Sequence, residues 1–345
     1  MPDGKNAGGA VAAEELTVTD RAATAASSLA YRSRVQRARL SGPVRFALVV
    51  ILSLTISSLA SSFLNVVTQG ELTRISRQPE SMTEKGLLAA WRIFELALAW
   101  FGDYDGYDLA ALALMSHGPT TLLMTVFYGI RARTAGAYLG IDVVSAFLPF
   151  ILLRQLSGAH SAAPGVPNRE IVADRGIQVL TALLSALVYS TTLFLACRTF
   201  LPTTLVLAFE GIPTIVPAAD AMLFGFGSPA TQNLCLLFGA AARTFIFTPF
   251  ITTPPATQDK EASEFDPVSA TLGQTVAYNL WGFTGQTKVS IKRTAVAMLL
   301  TAVNTYLQCS SMINGVESYG AAAYASIWTV ATMITGLLLR YVGGL

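Results

Sequence analysis

Charge is what this chain has least of. Asp, Glu, Lys and Arg make up 13% of its 345 residues, against roughly 25% in an ordinary soluble domain. Hydrophobic residues make up 52% and mean hydropathy is +0.52, which excludes a soluble globular protein. Neither sign dominates, with 23 Lys and Arg against 21 Asp and Glu. With no basic face or arginine-rich domain either, nucleic acid is excluded as a partner. Cysteine is scarce: Cys197, Cys235 and Cys309 each lie in an apolar run without CxxC or Cys/His spacing. They read as small buried hydrophobes and exclude a disulfide framework or thiolate metal site. Signatures with a built-in mechanism are missing too, among them GxxxxGK[ST], HExxH, GxSxG and a heptad seam. DYDGYD at 103–108 lacks the sixth-position glycine and the twelfth-position glutamate of an EF-hand loop.

What the chain has instead is a series of apolar runs of membrane-crossing length. They predict an all-α polytopic transmembrane helical bundle of about eight spans, six at least, with interfacial helices and the lipid bilayer as its partner. The spans fall at Phe46 to Val67, Leu109 to Ile130, Ala135 to Leu153, Ile177 to Cys197, Phe200 to Asp220, Met222 to Ala242, Thr294 to Met312 and Tyr319 to Leu339.

Residues 1–45 read as a disordered tail ending in a basic juxtamembrane segment with Arg32, Arg34, Arg37, Arg39 and Arg45. Residues 46–249 hold the first six spans, 250–293 a cytosolic loop, and 294–345 the last two spans. Residues 87–101 carry Trp91 and Trp100 near the ends and an Arg92/Glu95 pair three apart, which suits an interfacial helix. Within the 250–293 loop, Val268, Leu272, Val276 and Leu280 recur at helical spacing and predict an amphipathic helix on the membrane surface.

The positive-inside rule places both termini in the cytosol of an endomembrane or plasma-membrane protein. In this register Arg154, Arg169 and Arg175 fall on the outer side and fit poorly, while Asp103, Asp105 and Asp108 gather there. An ungapped overlay of residues 118–134 on 228–244 gives six identities in seventeen, Pro119/Pro229 and Gly129/Gly239 among them, and suggests that spans two and six run the same way.

Three places carry ionisable groups worth weighing as chemistry. Asp103, Asp105 and Asp108 are interleaved with tyrosine and glycine, so their carboxylates can converge on Mg²⁺ or force one carboxyl to keep its proton. The plainer reading makes Asp108 the N-cap of a helix beginning at Leu109. His117 lies near mid-membrane beside Pro119, which frees a backbone carbonyl that something must satisfy. Glu210 stands alone in a run broken by Pro202, Gly211, Pro213 and Pro217, where a crossing would bury it. Asp142, near a predicted cytosolic boundary, reads as a partner of Arg131 or Arg133.

Two active function classes follow. One is a membrane-embedded enzyme on a lipid or isoprenoid substrate, such as a cyclase or transferase. Asp103, Asp105 and Asp108 would hold Mg²⁺ and diphosphate or act as acid, with His117 or Glu210 deeper in the cavity. The other is a proton- or cation-coupled transporter that relays charge through His117, Glu210 and Asn304. A membrane scaffold without chemistry needs neither. The outer acidic cluster and the lack of a whole-chain repeat favour the enzyme.

Overall fold

The computed structural model describes residues 40–77, 81–161, 165–220, 229–255 and 270–344. Residues 1–39 of the tail expected over 1–45, and residues 256–269 of the loop expected over 250–293, lie outside them. The described chain is helical, in twelve elements. They are α1 (Gly42–Val67), α2 (Met82–Phe101), α3 (Gly106–Val126), α4 (Ala132–Leu153), the short α5 (Arg169–Ala173) and α6 (Arg175–Arg198). The short α7 (Leu201–Ala208) and α8 (Val216–Ala219) precede α9 (Pro229–Thr252). The chain ends with α10 (Leu272–Trp281), α11 (Gly285–Leu307) and α12 (Ser318–Gly343). Six of them, α1, α3, α4, α6, α9 and α12, are long and apolar enough to cross a membrane. The protein is therefore read as a multi-pass helical bundle.

Local chemistry sets the helix starts. Ser81 accepts from Glu84 N at α2, Asp174 from Ile177 N at α6 and Thr284 from Thr287 N at α11, so each cap quiets a backbone donor the helix cannot use. Burial then sorts the helices: 78% of the apolar window of α3 is buried against 11% for α1. α3 is thus the axis, and α1 lies at the periphery.

The contacts group the helix ends in two sets. Phe46 of α1 meets Trp100 and Phe101 at the end of α2, Arg154 after α4 meets Asp103 before α3, and Gly343 of α12 lies against Phe247 and Ile251 of α9. These define a first end of the bundle. The second end is closed by backbone crossings, among them Glu317 N donating to Ala208 O. Arg77 N donates to Met312 O, Asn314 N to Ile75 O, and Glu210 N to Gly315 O.

One expected span and the expected interfacial helix therefore trade roles. α2 starts at Met82, five residues before the expected interfacial helix, and runs lengthwise along the outside of the bundle, with Trp91 and Glu95 bonded to Asn304 of α11 and its end under Phe46. The expected span at 200–220 is only the eight-residue α7, a turn and the four-residue α8, because Pro213 and Pro217 lack the amide hydrogens a continuous helix needs. Glu210 is exposed at the second end. The exchange moves the acidic loop at 102–105 to the same end as Gly42 and Gly343, opposite to the expectation. Arg154, Arg169 and Arg175 now share that end with Lys288, Lys292 and Arg340. α3 and α9 are antiparallel, with Phe245 beside Tyr104 and Phe238 beside Gly118, so the overlay's implied common direction is also corrected.

The predicted amphipathic helix is present as α10, with Leu272 and Val276 exposed, while Val268 lies outside the described residues. Close approach of α6 and α9 depends on Gly239, where a Cβ would stand 2.1 Å from Ala182 O.

Pro119 sits within α3 and leaves the Met115 carbonyl without its helical donor. The carbonyl is answered from the neighbouring helix, not by His117. Thr301 of α11 donates to Met115 O at 3.5 Å and Thr305 to Ser116 O at 3.4 Å. Thr301→Val should lower stability by about 1 kcal/mol, the net worth of one buried hydrogen bond. A thermal midpoint in detergent equal to that of the parent would show that water serves this carbonyl instead.

Candidate functional sites along α3

Two polar sites are built on α3, one at its N-terminus and one at its middle. At the first, Asp105 is the N-cap and Asp108 the third helical residue of a capping box. Asp105 Oδ1 accepts from Asp108 N at 3.0 Å and Asp108 Oδ2 from Asp105 N at 3.2 Å. The helix begins at Gly106, so the N-cap is three residues earlier than expected. Both carboxylates are buried and both have second partners. Arg293 of α11 forks onto Asp108, with Nη1 to Oδ1 at 2.6 Å and Nη2 to Oδ2 at 3.2 Å, and Nη1 also donates to Phe245 O. Its guanidinium lies 4.8 Å from the centre of the Tyr104 ring and 4.9 Å from that of Phe245.

Asp105 Oδ2 accepts from Ser157 N, Ser157 Oγ and His160 Nδ1, the last at 2.8 Å, and His160 Nε2 lies 3.3 Å from Thr244 O. Both neighbours of the imidazole are acceptors, so both bonds form only when the ring carries two protons. Burial is the largest single influence and opposes that charge, but the hydrogen bond to Asp105 together with the charges of Asp108 and Asp105 outweighs it, raising the His160 pKa. Burial likewise pushes Asp105 upward, and the hydrogen bond and charge of His160 win, holding the carboxyl well below the usual range.

The signs fix a pH window. The Asp105 contribution is complete above the unfolded value near 3.9 and is lost as pH falls through its depressed folded value. The His160 contribution is complete below the unfolded value near 6.5 and is lost as pH rises through its raised folded value. Thermal stability in detergent should therefore peak between about pH 4 and pH 6.5. Asp105→Asn should flatten both flanks, and identical profiles for the two proteins would remove the assignment.

Asp103 does not join this cluster. Its backbone is left-handed, its side chain is 94% exposed, and it pairs with Arg154 Nη2 at 2.5 Å. Asp105, Asp108 and His160 do bring ligand atoms within 4.8 Å of one another. As a magnesium centre they fit poorly, because Mg²⁺ favours six oxygens and here hydrogen bonds hold the carboxylate oxygens while Arg293 is already the resident cation. A cleft of about 500 Å³ opens beside the cluster, lined by Tyr104, Ser157, Thr252, Lys292 and Arg293.

The second site lies about 16 Å further along α3 at the rise of an α-helix. Asn304 of α11 is its hub: Oδ1 accepts from Trp91 Nε1 at 2.6 Å, and Nδ2 donates to Glu95 Oε1 and to His117 Nε2, the latter at 3.4 Å. Glu95 also accepts from Arg92 at 3.1 Å, and Arg92 reaches Ser145 Oγ. Donors face both ring nitrogens of His117, Asn304 Nδ2 at Nε2 and the Gln308 side-chain nitrogen at Nδ1, so a neutral ring accepts at one and carries its proton at the other. Nδ1 lies 3.3 Å from Asp142 Oδ2 and in contact with the Gln308 amide. Asp142 thus faces the histidine, not Arg131 or Arg133. The void within this site is only about 20 Å³. On the side of the second end, a cavity of about 260 Å³ is bounded by Arg77, Tyr138, Thr120 and Gln308.

Each site abuts a π-helical turn, Arg243–Phe247 at the first and Gln308–Met312 at the second. Such turns shift the backbone register and recur at functional sites. Of the five candidates from sequence, Asp105 and Asp108 share the first site and His117 belongs to the second, while Asp103 and Glu210 stand apart. His160, Arg293 and Gln308 escaped sequence reasoning. Arg293 stands beside Lys288 and Lys292 at the border of an expected span, where its charge looked like part of a loop. No protein-family model, curated protein or solved structure matches the chain.

Proposed function

We propose that the protein is a proton-coupled carrier of a small solute, with the proton held between His117 and Asp142. One observation carries this reading. A buried network of ionisable and amide side chains lies at the centre of the bundle, with a cavity of about 500 Å³ toward one end and one of about 260 Å³ toward the other, and the two share no lining residue. Ionisable groups at membrane depth are expensive and are kept for pathways and proton relays. Asp142 Oδ2 is buried with no hydrogen-bond partner among the described residues, which leaves a site for a proton opposite Nδ1.

The enzyme on a lipid or isoprenoid substrate finds less support. It needs a carboxyl free to meet substrate or Mg²⁺, and Asp105 and Asp108 are spent on a helix cap, His160 and Arg293, while Glu210 is remote. On the carrier reading the first end faces the cytosol, since Arg45, Arg154, Arg169, Arg175, Lys288, Lys292 and Arg340 there narrowly outnumber Arg74, Arg77, Lys85, Arg131, Arg133 and Arg198 at the second.

The test is proton movement in proteoliposomes loaded with pyranine and given succinate, lactate, glycerol or choline outside. At least one solute should acidify or alkalinise the lumen, and His117→Gln should abolish the response while solute still binds. A lumen that answers to none of the four, or answers equally through the variant, would end the proton-coupled reading.

A further inference from the structure

We infer that the cavity at the second end is the solute site and that it takes a small carboxylate. The inference rests on the carrier reading and names its substrate class. The cavity is built for hydrogen bonding but is poorly satisfied from within. Gln308 and Thr120 are each 4% exposed and line it, and neither Gln308 Oε1 nor Thr120 Oγ1 has an oxygen or nitrogen partner among the described residues. The neighbour of Thr120 Oγ1 is the thiol of Cys309. Tyr138 spends its hydroxyl on the thioether of Met312 at 3.6 Å, a weak acceptor. Buried polar groups are ordinarily paired, so three such groups around one void call for an occupant that pairs them.

Charge narrows the occupant. Among the described residues Arg77 is the one ionised side chain lining this cavity, and no carboxylate lines it. Its guanidinium is under-engaged, with Glu84 at 3.6 Å and Ser310 O at 3.4 Å as its contacts. A planar fork of donors matches a carboxylate in a two-point grip better than it matches a single oxygen. Size narrows it further, since about 260 Å³ falls just under the roughly 300 Å³ at which drug-sized pockets begin. A solute of a few carbons fits, with its carboxylate on Arg77 at the mouth and hydroxyl or carbonyl groups toward Thr120, Tyr138 and Gln308. Gln308 touches His117 on its other side, which places solute and proton on the two faces of one amide.

The experiment is calorimetric titration of the full-length protein in detergent with lactate, succinate and glutamate, and with inorganic phosphate, glycerol and choline as contrasts. At least one carboxylate should bind and the three contrasts should not. Arg77→Gln should weaken that binding at least tenfold, Arg77→Lys should restore part of it, and Thr120→Val should weaken it severalfold. Arg77 is 40% exposed at its side chain, so the parent thermal midpoint should survive its replacement. Binding of phosphate, glycerol or choline without any carboxylate, or a carboxylate held equally by Arg77→Gln, overturns the inference. Carboxylate binding without proton movement in the pyranine assay would leave this site standing and defeat the carrier reading. Proton movement driven by glycerol or choline alone would do the reverse.

Discussion

Arg293→Met should be the most damaging single substitution in the first site, at about 3–5 kcal/mol, because it leaves the Asp108 carboxylate buried without its cation. That is a large part of the roughly 5–15 kcal/mol that holds a typical protein folded. The residue joins α11 to α3 through the fork on Asp108 and to α9 through Phe245 O, with two aromatic rings enclosing its charge. The expected result is loss of the monodisperse peak on size exclusion and a sharp drop in thermal midpoint. The second half of the argument is the rescue. Asp108→Asn combined with Arg293→Met removes both charges while an amide oxygen can still accept from Asp105 N, so most of the loss should return. If the double variant is no more stable than Arg293→Met alone, the damage comes from lost packing around the guanidinium and the ion pair is not its cause.

The arrangement of the bundle was legible in part, and the pattern of success has a physical basis. A hydrophobic run advertises a helix that faces lipid, which is why α1, α4, α6 and α12 lie close to where composition places them. A helix that turns one face to protein carries charge on that face without harm, and composition then misleads. α2 and α11 hold Arg92, Glu95 and Arg293 against partners that only folding brings near, so their charges resembled interface and loop. The broken run at 200–220 misled in the opposite sense, being apolar enough to cross but too rich in proline to stay helical. Exchanging these two segments reversed the side of everything between them, which is how the acidic loop came to be placed at the wrong end. The misfit of Arg154, Arg169 and Arg175 was the trace of that error visible in the sequence.

The sites were legible where a motif is local and illegible where it is not. The capping box at Asp105 and Asp108 spans four residues, and His117 beside Pro119 marks a place that needs a partner. The partners come from far away: His160 lies 55 residues from Asp105, Arg293 185 from Asp108 and Asn304 187 from His117. No periodicity links such pairs.

Asn304→Leu should have the largest effect at the second site, on stability and on coupling together. Leucine fills a similar volume but offers neither the acceptor for Trp91 Nε1 nor the donor for Glu95 Oε1, and each stranded buried group costs about 1–3 kcal/mol. The thermal midpoint should fall accordingly. The folded fraction carries the sharper test, because the Asn304 donor at Nε2 is what opposes the Gln308 donor at Nδ1 and so lets the ring proton sit on the Asp142 side. Without that amide the Gln308 donor alone favours a proton on Nε2, away from Asp142, and proton movement per folded molecule in the pyranine assay should fall at least tenfold. Asn304→Asp separates the two roles. An aspartate can still accept from Trp91, but it places a carboxylate against Glu95 and cannot donate to Nε2, so coupling should be lost even where Trp91 keeps its partner. Undiminished coupling per folded molecule in both variants would reduce the network to a structural cross-link and leave His117 without a role in moving protons.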